Sequence, residues 1–165
     1  MLWALWFFPI ALTLHNIEEA IWLPEFSGRA GIYFRPVGRL EFCFAMIPVT
    51  LLGWCLTWAL WHFGRQSLGC YLFFSFALMM AINVIFPHAV ATIALRKYCP
   101  GLITGAVCVL PTSLYLLIFG YVNGYYTASK LCVVMPIFAA VILGCIILLF
   151  RIGRWTSGQW RLRDN

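Results

Sequence analysis

Charge is what this sequence has least of: eleven Lys and Arg with five Asp and Glu make up 10% of its 165 residues. A soluble domain averages roughly 25% charged and about 45–50% apolar residues, whereas here 64% are hydrophobic. Too little polar surface remains to cover a globule, which excludes an ordinary soluble domain and a disordered chain. A disulfide framework is not indicated either. The seven cysteines (43, 55, 70, 99, 108, 132 and 145) are odd in number and form no C-x-x-C pair, and six lie in apolar runs. There a thiol packs as a small hydrophobe. Missing as well are a Gly-rich phosphate loop, a nucleophile elbow, an N-x-[ST] sequon, an internal repeat and the period-2 alternation of a barrel. What remains is an all-α, polytopic helical bundle in the cell membrane.

A spanning helix needs about 20 mostly apolar residues. Five stretches qualify, at about 2–23, 42–63, 69–95, 101–120 and 131–150. The breaks combine turn formers with polar residues, as in Pro24-Glu25-Phe26-Ser27-Gly28-Arg29 and Arg96-Lys97-Tyr98-Cys99-Pro100. No linker divides them, so residues 1–165 read as a single membrane domain. With five spans, Arg29, Arg35, Arg39, Arg96, Lys97, Arg151, Arg154, Arg161 and Arg163 share one side, against Arg65 and Lys130 on the other. The positive-inside bias then sets the N-terminus outside and the C-terminus in the cytoplasm. The same bias accounts for the net charge of +6 without nucleic acid, since no basic stripe carries it. The first stretch lacks a basic n-region and a small-residue cleavage site, so it reads as a span and not a signal peptide. The basic and aromatic tail, with Trp155 and Trp160, reads as a juxtamembrane anchor.

Ionisable groups inside spans are costly and mark function or a specific pairing. Glu18 and Glu19, two of the five acids, fall within the first span, and His15 precedes them. At about 100° per residue the three occupy one arc of about 100° on the helix. The third span adds Asn83 and His88. His15 lies eight residues before Leu23 and His88 eight before Arg96, so in parallel spans both sit roughly 12 Å from the cytoplasmic boundary. Equal depth is a condition for the two imidazoles to meet. Pro87 removes a backbone hydrogen bond beside His88, and a kink there would aim the ring inward. A role in helix packing alone is the plain alternative.

His15-Asn16-Ile17-Glu18-Glu19, followed by Trp22, Pro24 and Phe26 in a short polytopic chain, resembles the HXXEE-domain family of bacterial membrane proteins. The family is named for the motif, and the resemblance implies no particular chemistry. It also implies a downstream Asn/His element, for which Asn83 and His88 are the candidates.

Two imidazoles and two carboxylates suit a borderline divalent ion such as zinc, iron or manganese. His15, Glu18, Glu19 and His88 are the candidate ligands, with Glu18 or Glu19 the candidate catalytic base. Without metal the same set makes a His–Glu acid/base pair or proton relay. The plainer readings are a neutralised pair that fixes helix packing, or carboxylates snorkelling toward headgroups. The site's depth suits a lipid or other small-molecule substrate. A small proton-coupled transporter and a structural accessory subunit are the alternatives, although no repeat of the transporter kind is visible. His62, beside Trp58 and Trp61, reads as an interfacial belt residue. Glu41 reads as a partner of Arg39 or a residue at the site mouth. Thr104, Thr112, Ser113 and Tyr115 read as hydroxyls bonded within the bundle.

Overall fold

The structure, a computed structural model, describes residues 2–29 and 36–156. Arg35, Arg161 and Arg163 of the charge count, and the tail segment 157–165, lie outside the described residues. Five long helices follow one another: α1 Phe7–Arg29, α2 Arg39–Phe63, α3 Leu68–Leu95, α4 Leu102–Val122 and α5 Ala128–Thr156. A 3₁₀ turn, Leu2–Trp6, leads into α1. No strand occurs among the described residues.

Local chemistry sets most of the ends. Ser67 caps α3, its Oγ accepting from the Cys70 N–H at 3.1 Å, and Glu41 reaches back to the Gly38 N–H at 3.5 Å ahead of α2. Gly64, at φ 72°, closes α2 through an N–H bond to the Leu60 carbonyl at 3.0 Å. The first helix does not stop at Pro24, as the sequence suggests, but runs on to Arg29. A proline removes one backbone bond; here Ser27 Oγ donates to the Pro24 carbonyl at 2.9 Å and Arg29 pairs with Glu25 at 2.6 Å, so the last turn holds. The last helix likewise continues past Phe150 to Thr156.

Helix α3 lies at the centre, packed against α2, α4 and α5. Phe73, Phe74 and Phe76 are fully buried on it, with Phe8 of α1 edge-on to Phe73 and Phe76. Glycines let the backbones close. A Cβ at Gly120 of α4 would collide with the Phe74 ring, and one at Gly153 of α5 would meet the Glu41 backbone oxygen at 3.2 Å. Glu41, fully buried, pairs there with Arg154 (Nε 3.0 Å and Nη2 2.5 Å from Oε1), and not with Arg39 as its sequence position suggests. The reason is the extension of α5, which carries Arg154 beyond the apolar run and onto the start of α2.

Two helices are irregular at the same place. In α3, Val84–Ala89 forms a π-type segment with non-helical angles at Phe86 (φ −126°, ψ 115°), just before Pro87. In α4, Gly105–Val109 forms another. These segments contact each other, and α1 packs on the second. Irregular backbone at membrane depth is found where it is buried in protein or lines a cavity, and such segments are frequent at functional sites.

The exterior is apolar. Trp3, Phe7, Ile93, Val107, Val122, Ile137 and Leu148 are each more than half exposed, a surface far beyond what water tolerates on a monomer. Helices α2 to α5 are long and apolar enough to cross a membrane. Helix α1 falls outside that set, because His15, Asn16, Glu18 and Glu19 interrupt its apolar run.

Candidate functional site

The site grows from the polar face of α1 and the kinked stretch of α3. His15 is fully buried, and Glu19 stands one turn on, with Glu19 Oε2 3.9 Å from His15 Nε2. The α3 kink turns His88, also buried, toward them: its Nε2 is 3.2 Å from Glu19 Oε1. The two imidazoles meet edge to face, centroids 5.1 Å apart and planes at 87°. One ligand atom from each of His15, Glu19 and His88 lies within 4.8 Å of the others. The two imidazoles, one from each of α1 and α3, thus lie in contact.

Glu18 is not brought to that cluster. As the i+3 neighbour of His15 its carboxylate turns to the start of α4, accepting from the Gly101 N–H at 2.8 Å, the Thr104 N–H at 2.9 Å and the Thr104 hydroxyl at 2.6 Å. The Tyr98 hydroxyl donates to it as well. A carboxylate at a helix N-terminus meets unpaired N–H groups and the positive end of the dipole. Asn83 Nδ2 sits 3.2 Å from His88 Nε2, and Cys99 Sγ 3.8 Å from His88 Nδ1. Thr104 Oγ1 lies 3.3 Å from His15 Nδ1.

Gly101 roofs the cluster. At φ 92° it holds a conformation that disfavours side chains, and a Cβ there would come within 2.7 Å of His88 Cε1, 2.9 Å of His15 Cε1 and 3.0 Å of Glu19 Cγ. Gly101, Tyr98 and Cys99 are not marked by the sequence as part of the site, and Thr104 reads there only as a hydroxyl bonded within the bundle. No periodicity links residues 15–19 to 98–104.

One atom in this site lacks what burial demands. His15 Nε2 is buried without a hydrogen-bond partner, which costs about 1–3 kcal/mol if nothing fills the gap. It faces Glu19 Oε2 at 3.9 Å, where a proton, a water molecule or a metal ion would each satisfy both atoms. His15 and Glu19 also form one wall of a cavity of about 470 Å³, with Asn16 and Asn83 beside them and Leu23, Phe42, Met46, Met80, Phe86 and Phe150 among its apolar lining. A few convergent polar groups on an apolar cavity are the usual form of a small-molecule site. Cys99 and His88 lie behind this wall and not on it. His62 takes no part; it stacks on Trp58 at 5.1 Å.

The family described as "Protein of unknown function with HXXEE motif" matches residues 6–116, which contain every residue of this cluster. The chain is also 35% identical to "Uncharacterized protein YrkK" of Bacillus subtilis (strain 168) over 147 residues, covering 89% of this chain and 93% of that protein. No solved structure matches it.

Proposed function

The chain belongs to the HXXEE family, and from that premise we propose that it is a multi-pass cell-membrane protein that holds a divalent metal ion between His15, Glu19 and His88 for chemistry on a lipid-like substrate. The observation that carries the reading is the buried, partnerless His15 Nε2 facing Glu19 Oε2 at 3.9 Å. Ligand atoms on one tetrahedral ion stand roughly 3.4 Å apart, so a small side-chain closure brings the three groups into range. Two imidazoles and one carboxylate suit zinc, iron or manganese and leave a position open. Such an ion supplies Lewis acidity toward a carbonyl or phosphoryl oxygen. The chain itself supplies the rest: Asn16 and Asn83 are hydrogen-bonding groups at the cavity wall, and the apolar lining excludes water and receives a hydrocarbon chain.

On this reading α1 is a fifth span, with His15, Asn16 and Glu19 buried in the bundle interior, as ionisable groups in spans require. The bias of Lys and Arg along the chain then favours an outside N-terminus and a cytoplasmic C-terminus, with the site nearer the cytoplasmic leaflet. Metal content of detergent-purified protein tests the reading. Stoichiometric divalent metal is expected in wild type and is expected to be lost in His15→Ala and Glu19→Ala. A well-folded wild-type protein that takes up no zinc, iron or manganese overturns it.

A further inference from the structure

The motif carries two adjacent glutamates, and only one reaches the cluster. We infer that they have separate tasks: Glu19 is a metal ligand, whereas Glu18 is a positioning residue that acts through Thr104 to hold His15 in the Nδ1–H tautomer. The inference rests on the metal reading given above and adds what orders the ligand.

Proton accounting leads to it. Glu18 accepts at both oxygens: from Gly101 N–H at 2.8 Å and the Tyr98 hydroxyl on Oε1, from Thr104 N–H at 2.9 Å and the Thr104 hydroxyl at 2.6 Å on Oε2. A carboxylate surrounded by donors has no proton to offer. The Thr104 hydroxyl has a single proton, and the short bond commits it to Glu18. Toward His15 Nδ1, 3.3 Å away, Thr104 Oγ1 therefore presents a lone pair, so Nδ1 must carry the hydrogen. In the neutral ring that leaves Nε2 with its own lone pair exposed to the cluster. A proton on Nε2 instead would point toward Glu19 Oε2, 3.9 Å away and beyond hydrogen-bond distance. Metal-bound histidines characteristically donate their other ring N–H to an oxygen, which fixes both tautomer and ring orientation. Glu18–Thr104–His15 is that arrangement, built across α1 and α4 before any ion arrives. Helix α4 is thereby tied into the site although it supplies no ligand.

The test combines ring-nitrogen NMR with zinc titration on the full-length protein in detergent. In metal-free wild type, ¹⁵N shifts of His15, assigned by loss of its signals in His15→Gln, are expected to report the Nδ1–H tautomer. Thr104→Val removes the hydroxyl and is expected to shift His15 toward Nε2–H and weaken zinc about 10–100-fold. Thr104→Ser, which keeps the hydroxyl, is expected to retain both properties. Glu18→Ala frees the Thr104 proton and is expected to follow Thr104→Val. An Nε2–H tautomer in wild type, or zinc binding as tight in Thr104→Val as in wild type, overturns the inference. A wild type that shows the Nδ1–H tautomer and its loss in Thr104→Val, yet binds no zinc, keeps the relay and defeats the metal reading alone.

Discussion

At the scale of single residues, the site depends on a position with no side chain. Gly101 lies over both imidazoles and Glu19, at φ 92°. An alanine there meets two costs: about 1–2 kcal/mol for the left-handed backbone, and a Cβ 2.7 Å from His88 Cε1. Gly101→Ala is therefore expected to lower zinc affinity at least 10-fold while far-UV circular dichroism stays that of wild type. Unchanged affinity would contradict the packing described for the roof. The residue scale is also where sequence reading divides most sharply. His15, Glu18, Glu19, Asn83 and His88 stand out because polar groups in apolar spans are conspicuous. Thr104 and Cys99 do not, since a hydroxyl in a span and a thiol in a turn are ordinary. The division of work between Glu18 and Glu19 was illegible, because adjacent residues share one arc on a helical wheel and only the neighbouring helix decides which way each turns.

At the scale of elements, apolar run length located the helices well, and their ends less well. Helix α1 passes through Pro24 because Glu25–Arg29 and Ser27 support its last turn. Helix α5 outlasts its apolar run and carries Arg154 to a buried carboxylate. Neither extension leaves a mark in a hydropathy pattern. The Glu41–Arg154 pair sits where Gly153 lets α5 touch α2, and Glu41 is fully buried. Removing one partner of a buried pair costs about 3–5 kcal/mol, whereas replacing both is often neutral. Arg154→Met is expected to lower the thermal midpoint in detergent strongly, and Glu41→Gln in that background is expected to recover most of the loss. An Arg154→Met protein as stable as wild type would contradict the pairing as a structural tie.

At the scale of the molecule, the scarcity of charge and the exposed apolar exterior are both compatible with a membrane protein, and four of the five long helices are apolar enough to span. The first is the exception because it carries the site. If it spans as proposed, reporters at the N-terminus and after Phe63 are expected to read the same side, outside, and one after Arg154 the cytoplasm. An N-terminus and Phe63 on opposite sides would contradict the five-span arrangement. An ion held by one face of α1 and the kink of α3 would show in X-ray absorption of the zinc-loaded protein. Two imidazole nitrogens and oxygen ligands at roughly 2.0–2.2 Å are expected, with no sulfur. A sulfur ligand at about 2.3 Å, or fewer than two histidines bound, would contradict this arrangement.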